Sequence, residues 1–413
     1  MTRRPSLSSK RPKLNRNEYE RIIRVPRRDL EAFASRKELM ERVAITTSLG
    51  KLLDWCTKQQ ATDLHAQAGH PFAYRVDGKL RRISQDQFPA PTNEEIMRIL
   101  AQAFSSSIFE RIEKQHEMDL SFVCEKVRYR ANFNKQQGTE SFSFRVVPQK
   151  IPKLDDLQLP SSVADLVQQP RGLLLVAGAT GQGKSTTACA LLQLLNETMA
   201  LRVITIEDPI EYLFEENQCQ FEQREVGVDT ESFASGIRNA MRQDPEVIFI
   251  GEIRDRESIQ AAMQAAETGH LVLATLHADS VTQAIDRIRE FHPATEQANA
   301  SALLARSLNA IICQRLIPSS FERRIPCLEI MKRNAGTQDA IARNDLRLLT
   351  GHIEASFNEG MHSFDQYLMQ LVKSEYVTME TARHYALSWN RVEMQSNGFA
   401  PAMPGILKPD PER

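Results

Sequence analysis

The sequence predicts an α/β domain around a mainly parallel sheet, preceded by a smaller α+β domain. Three observations carry that reading. In the later part of the chain, short apolar runs alternate with helix-periodic stretches. The part before it mixes strand-like alternation with helical segments, and a stretch bracketed by prolines separates the two. The 413 residues are enough for two ordinary domains with tails, and 41% apolar with 25% charged residues is a globular composition.

Residues 1–44 are rich in Arg and Lys, and the first sixteen residues contain no Asp or Glu. They are expected to form a flexible basic arm, either a solvated tail or an electrostatic contact for acidic lipid or a partner protein. The first folded domain is placed at 45–150. It opens with a helix around Leu49–Gln60, whose Leu49, Leu52, Leu53 and Cys56 fall at helix spacing. A hairpin follows, Phe72–Val76 and Lys79–Ile83 about the Asp77-Gly78 turn. Then come a helix at Glu94–Phe104 and strands at Leu120–Cys124, Tyr129–Asn134 and Glu140–Val146. The linker is 151–160, bounded by Pro152 and Pro160. The second domain, 161–362, has strands at Leu173–Ala177, Val203–Ile206, Val247–Ile250 and Leu271–Thr275, with helices from Lys184 and over Arg256–Glu267. A helical C-terminal region is expected over 363–392 and a disordered tail over 393–413.

The net charge of −1 gives no global reason to bind nucleic acid or anionic membrane. Cys56, Cys124, Cys189, Cys219, Cys313 and Cys327 are scattered with no C-x-x-C pair, which argues against a zinc knuckle and a disulfide framework. No window approaches the roughly 18–20 consecutive apolar residues of a membrane span. The expected location is the cytoplasm, with membrane contact only peripheral and through partners.

Gly178-Ala179-Thr180-Gly181-Gln182-Gly183-Lys184-Ser185 fits G-x-x-x-x-G-K-[ST], follows the apolar run Leu173–Ala177 and opens a helix that continues with Thr186. That strand, loop, helix order is the phosphate cradle: glycines let backbone N–H groups close on phosphate oxygens, and the helix N-terminus adds partial positive charge. Lys184 should reach the β and γ phosphates and Ser185 should ligate Mg²⁺, so ATP and Mg²⁺ are the expected ligands. Such a loop needs an acid at a neighbouring strand end. Glu252, after Val247–Ile250 and Gly251, is the first choice for the metal; Glu207, after Val203–Ile206, is then the choice to position water. His270 and His277 flank the strand Leu271–Thr275, and a strand-end histidine can contact the γ-phosphate. Arg128 and Arg130 share one strand face and Arg145 lies on another strand. They are either a solvated face or, in a ring, arginine fingers for a neighbour's nucleotide.

Four ordered segments together resemble the secretion and type IV pilus ATPase family, in its PilT/PilU retraction branch, over about Leu49 to Asn390. Ala61-Thr62-Asp63-Leu64-His65, continuing through Gly69-His70-Pro71 to Arg75-Val76-Asp77-Gly78, looks like the family's N-terminal signature. Thr205–Glu211 is similar to its Asp box, Gly251–Asp255 to its Walker B region, and Glu267–His270 with Thr275–His277 to its His box. The resemblance implies a PAS-like N-terminal domain, a RecA-like ATPase domain and a homo-hexameric ring with ATP between subunits. Arg128, Arg130 and Arg145 then match the interdomain arginines, and His270 and His277 contribute to the nucleotide site. It also implies pilus retraction and twitching motility, driven from the cytoplasmic base through an inner-membrane platform protein, with a second retraction ATPase ring as a further candidate partner. The chain departs from PilT at Gly336–Asn344, where PilT proteins carry an AIRNLIRE-type segment, and at Gln137-Gly138, where many have arginine before glycine. Gly251–Glu257, Leu273–Ala278 and Glu359–Gln366 look closer to PilU. An accessory ring subunit with little hydrolysis of its own, and a type II/IV secretion ATPase, therefore stand as alternatives. A nucleic-acid translocase would need a basic, aromatic-bearing groove, which the sequence does not display.

Overall fold

The computed structural model describes residues 48–389 apart from 77, 125–126, 148–149 and 322; the expected basic arm and the C-terminal tail lie outside the described residues. Contacts divide the chain into two units, one ending at Val147 and the other starting at Pro148.

The first unit begins with α1 (Ser48–Lys58), which buries Leu49, Leu52, Leu53 and Cys56, the face its periodicity predicts. Strands β1 (Asp63–Gln67), β2 (Ala73–Val76) and β3 (Lys79–Arg82), helices α2 (Asn93–Ala103) and α3 (Ser106–Lys114), and strands β4 (Glu117–Cys124), β5 (Val127–Gln136) and β6 (Thr139–Val147) complete it. They form one six-stranded sheet in the order β3-β2-β1-β6-β5-β4, antiparallel throughout. Helix α2 starts at a capping box in which Thr92 and Glu95 satisfy each other's backbone N–H. The β5–β6 hairpin turns on Gln137 and Gly138, both at positive φ, 51° and 80°. Such a two-residue turn matches the twist of the flanking strands. Helix α3 was not foreseen from the sequence, because its apolar positions are few and its surroundings polar.

The second unit holds a seven-stranded sheet in the order β13-β12-β7-β11-β10-β8-β9. The strands are β7 (Gly172–Ala177), β8 (Arg202–Glu207), β9 (Gln220–Glu225), β10 (Val247–Ile253), β11 (Leu271–Leu276), β12 (Leu308–Pro318) and β13 (Arg324–Lys332). All neighbours pair parallel except β12 with the edge strand β13. Every residue of β7 is buried, which is why its sequence is an unbroken apolar run and not an alternating one. Leu173, Leu174 and Leu175 are each 0% exposed, and burying a side chain of that kind contributes roughly 1.5–3 kcal/mol. The helices are α4 (Lys184–Thr198), α5 (Phe233–Ala240), α6 (Arg256–Glu267), α7 (Val281–Glu290), α8 (Gln297–Ser307), α9 (Ala335–Arg343), α10 (Leu346–Ala355), α11 (Phe364–Lys373) and α12 (Met379–Tyr385). The C-terminal helices belong to the same packing: Tyr367 and Leu368 of α11 sit in one core with Leu328 and Ile330 of β13. Among the described residues no helix is long and apolar enough to cross a membrane.

Parallel pairing decides where chemistry is possible. Ile206, Ile250 and Ala274 lie in one row, as do Leu276, Ala177 and Cys313. The residues that follow them therefore emerge along one edge of the sheet, the carboxyl edge at which α/β proteins bind ligands.

Candidate active site

The phosphate loop, residues 178–185, leaves the carboxyl end of β7, and α4 starts at Lys184 directly after Gly183. No side chain caps α4, whereas Asp255 caps α6 and Ser280 caps α7 by accepting from backbone N–H groups. The first N–H groups of α4 thus face outward without a side-chain acceptor, the condition under which a helix start holds an anion. Gly178 has φ 157°, and a Cβ there would stand 2.6 Å from the Gln314 carbonyl oxygen, so only glycine lets the loop leave the sheet at this point.

Lys184 is buried and its Nζ donates to the Ala179 carbonyl at 3.1 Å, across the loop it belongs to. Burial draws its pKa below the usual lysine value, and the charges of Glu252, Glu211 and Asp279 oppose that. Thr186 Oγ1 lies 3.3 Å from the Tyr212 hydroxyl, which ties α4 to the loop after β8.

The two candidate acids are held in different ways. Glu207, the last residue of β8, is 3% exposed. Its Oε1 accepts from Thr205 Oγ1 at 2.7 Å and Gln223 Nε2 at 3.3 Å, and its Oε2 accepts from the Glu211 N–H at 3.3 Å. Burial outweighs these bonds and pushes its pKa up to about 7. Glu252 is half-buried and doubly paired: His277 Nε2 is 3.0 Å from Oε1, and Arg254 Nε donates to Oε2 at 2.9 Å. Arg254 also reaches Asp208 at 3.2 Å, bridging the strand ends of β10 and β8. Burial and the nearby Lys184 hold the His277 pKa below the usual histidine value, against the pull of Glu252. His277 Nε2 thus stands within ion-pair distance of the Glu252 carboxylate.

The structure therefore gathers Gly178, Ala179, Thr180, Gly181, Gln182, Gly183, Lys184, Ser185, Thr186, Glu207, Glu252 and His277 at one sheet edge. His270 is not among them. It precedes β11, at the amino edge, with Nδ1 3.0 Å from the Ala265 carbonyl. Six strand residues at roughly 3.3 Å each put about 20 Å between it and His277. Within one chain it is a helix-end contact, and a part in the nucleotide site through a neighbouring copy is all that is left to it.

The three arginines belong to the other unit, where register aligns them. Arg75, Asp63, Arg145 and Arg130 are consecutive cross-strand partners on β2, β1, β6 and β5, so they share one face, and Arg128 is two residues from Arg130 on that same face. Asp63 Oδ1 accepts from Arg145 Nε at 2.7 Å, and Arg75 lies 3.8 Å from its other oxygen. Burial works against ionising Asp63, but hydrogen bonds from Arg145 and Thr62 hold its pKa below the usual carboxylate range. Arg130 and Arg145 are exposed.

Sequence reasoning missed Gln314, Tyr212 and the partnership of Asp63 with Arg145. A signal for Gln314 was present: it is a polar residue inside the apolar run Ile311-Ile312-Cys313 and Leu316-Ile317. The Asp63 pairing needs the β1–β6 register, which joins residues 82 apart in sequence.

The family described as type II/IV secretion system protein matches residues 38–385. The chain is 37% identical over 338 residues to the type IV pilus retraction ATPase PilT of Pseudomonas aeruginosa, covering 81% of this chain and 97% of that protein. It is 34% identical over 347 residues to the type IV pilus ATPase PilU of the same organism, covering 83% of this chain and 90% of that protein. Among solved structures, a pilus retraction motor PilT with bound ADP superposes with a TM-score of 0.77 at 34% identity, covering 84% of this chain and 98% of that one.

Proposed function

The chain belongs to the type II/IV secretion system protein family, among its PilT and PilU-like ATPases, and we propose that it is an ATP-hydrolysing hexameric motor that drives or assists type IV pilus retraction. The observation that carries the chemistry is the single sheet edge on which an uncapped P-loop helix, two acids and a neutral histidine converge.

In this reading the loop N–H groups and Lys184 hold the triphosphate. The Ser185 hydroxyl and the Glu252 carboxylate fit Mg²⁺, an ion bound by one or two carboxylates together with substrate phosphates. The ion would neutralise charge on the phosphate oxygens. Glu207, with a pKa of about 7, suits a group that positions the attacking water and takes up its proton near neutral pH. His277 and Arg254 fix the Glu252 carboxylate, so that the acid is aimed before substrate arrives. Arg128, Arg130 and Arg145 of a neighbouring copy supply positive charge to the transferring phosphoryl group. ATP binding and release then turn rigid domains against one another. The ring works in the cytoplasm at the pilus base, on an inner-membrane platform protein and beside a second retraction ATPase ring.

The test is ATP turnover by the purified full chain, together with pilus retraction in cells that lack it. Turnover with lost retraction in the deletion strain is the expected pair; a chain with no turnover contradicts the motor. The departure at residues 336–344 favours a second reading, an accessory ring supporting a partner motor. Retraction restored by Lys184→Ala chains beside an active partner ring would establish that reading in place of the first.

A further inference from the structure

Among the described neighbours of the phosphate loop is a buried amide that is neither acid nor histidine. Gln314, on β12 beside β7, is 3% exposed. Its Oε1 accepts from Thr187 Oγ1 at 2.8 Å, on the first turn of α4, and its Nε2 donates to the Gln182 carbonyl at 2.7 Å. Gln182 returns the contact: its Oε1 accepts from the Leu316 N–H at 2.6 Å. Loop and strand thus exchange side-chain-to-backbone hydrogen bonds, from Gln314 to the Gln182 carbonyl and from the Leu316 N–H to the Gln182 side chain.

The loop is also shaped against Gln314 at both ends. Its backbone oxygen occupies the space a Cβ on Gly178 would enter, and its Nε2 lies 2.9 Å from where a Cβ on Gly183 would be, with Gly183 at φ 81°. Beyond the loop, Arg315 donates to the Asp279 carbonyl at 3.1 Å, two residues after His277. One strand therefore braces the phosphate loop through Gln314 and the histidine loop through the next residue.

We propose that Gln314 is a positioning residue for ATP, which sets the phosphate loop through a reciprocal clasp with Gln182. The physical link is the planar peptide. The Gln182 carbonyl and the Gly183 N–H belong to one trans unit and point in opposite directions. Drawing the carbonyl to β12 turns that N–H away from the strand, toward the space the loop encloses. Because Gln314 touches the loop and not the nucleotide, it affects ground state and transition state alike, so its loss raises KM with little change in kcat.

This inference rests on the reading that the loop binds ATP. The experiment measures KM and kcat for ATP, with melting temperatures, on full-length wild type, Gln314→Ala, Gln314→Glu, Gln182→Ala and the Gln182→Ala/Gln314→Ala double variant. Each alanine variant is expected to raise KM about tenfold, the scale of one lost hydrogen bond between loop and strand. The double variant should be no worse than the larger single, because both changes open one clasp. Gln314→Glu adds a readout that packing alone does not move. A protonated carboxyl keeps the shape and donates to the Gln182 carbonyl, while an ionised one cannot. Its KM relative to wild type should therefore start near unity at acidic pH and climb toward tenfold as pH rises.

Variants that melt lower yet keep the wild-type KM at every pH would overturn the clasp. Should Gln314→Ala fail to fold, Gln182→Ala, on the half-buried loop, and the isosteric Gln314→Glu decide the matter. A wild-type chain without turnover would instead remove the ATP reading itself; wild-type turnover with unchanged variant KM removes the clasp alone.

Discussion

The two charged arrays of this chain are assembled by opposite means. In the second unit, Lys184, Glu207, Glu252 and His277 come from four different strand ends and meet because parallel strands stop along one edge. In the first, Arg75, Asp63, Arg145 and Arg130 sit within antiparallel strands and meet because register places them side by side. The loop-edge assembly sets its side chains at strand ends and the segments that follow them, where an acid such as Glu207 can be buried until its pKa reaches about 7. The second fixes its side chains on a stiff sheet, three arginines about one aspartate, and leaves an exposed surplus of positive charge. A reactive pocket needs the first kind of construction, and a rigid charged surface offered to an anion needs the second. That contrast underlies the division of labour proposed here, and substitutions on each side can break it.

The largest effects are expected at the loop edge. Lys184→Ala or Glu252→Ala should lower ATP turnover by about a thousandfold or more in the purified chain, the scale of losing a charged group aimed at the phosphates. Turnover surviving in both variants would remove the edge from the chemistry.

Glu207→Gln should lower turnover about a hundredfold, the scale of a lost general base. It should also stabilise the fold at alkaline pH. A carboxyl whose folded pKa is raised from 4.5 to about 7 contributes stability below the unfolded value and loses it as pH rises through about 7. The neutral amide escapes that loss, so at about pH 8 the variant should gain about 1–2 kcal/mol over wild type in denaturant melts. A variant less stable than wild type at that pH would mean that the hydrogen bonds to the carboxylate outweigh its burial.

On the stiff sheet, Arg130→Ala should lower kcat by tens of fold with the melting temperature nearly unchanged, since its side chain is exposed, whereas Arg145→Ala should lower kcat by a similar factor and also lower the melting temperature, because it leaves the buried Asp63 carboxylate without its hydrogen-bond donor. The smallest effect belongs to Asp63→Asn. It loosens Arg145 and should cost about 1 kcal/mol, the scale of a partly exposed ion pair with one buried partner. Because the folded Asp63 pKa is lowered, that difference is present above the usual carboxylate pKa and fades as pH falls through the lower folded value. Equal melts for wild type and variant at neutral pH would show that Asp63 does not hold Arg145.

Legibility in the sequence followed the same contrast. The loop edge was readable because β7 is buried throughout and so spells an apolar run before its glycines, and Glu207 and Glu252 follow similar runs. The arginine face was half-readable. Strand alternation puts Arg128 with Arg130, but nothing local says that Asp63 stands beside Arg145. His270 shows a limit of motif reading: it flanks the same strand as His277, yet only the strand direction reveals that it lies at the far end. Gln314 is the same lesson inside a strand, where a buried polar residue acts through partners at positions 182 and 187 that no local pattern connects to it.

The central claim is that a phosphate loop from one copy and arginines from another make one working site. Its most direct test is co-expression of Lys184→Ala chains with chains in which Arg128, Arg130 and Arg145 are all alanine, each inactive alone. A shared site predicts that mixed rings recover a readily measured part of the wild-type ATP turnover, because some interfaces pair an intact loop with intact arginines. Mixed rings that form but stay as inactive as either variant alone would contradict it.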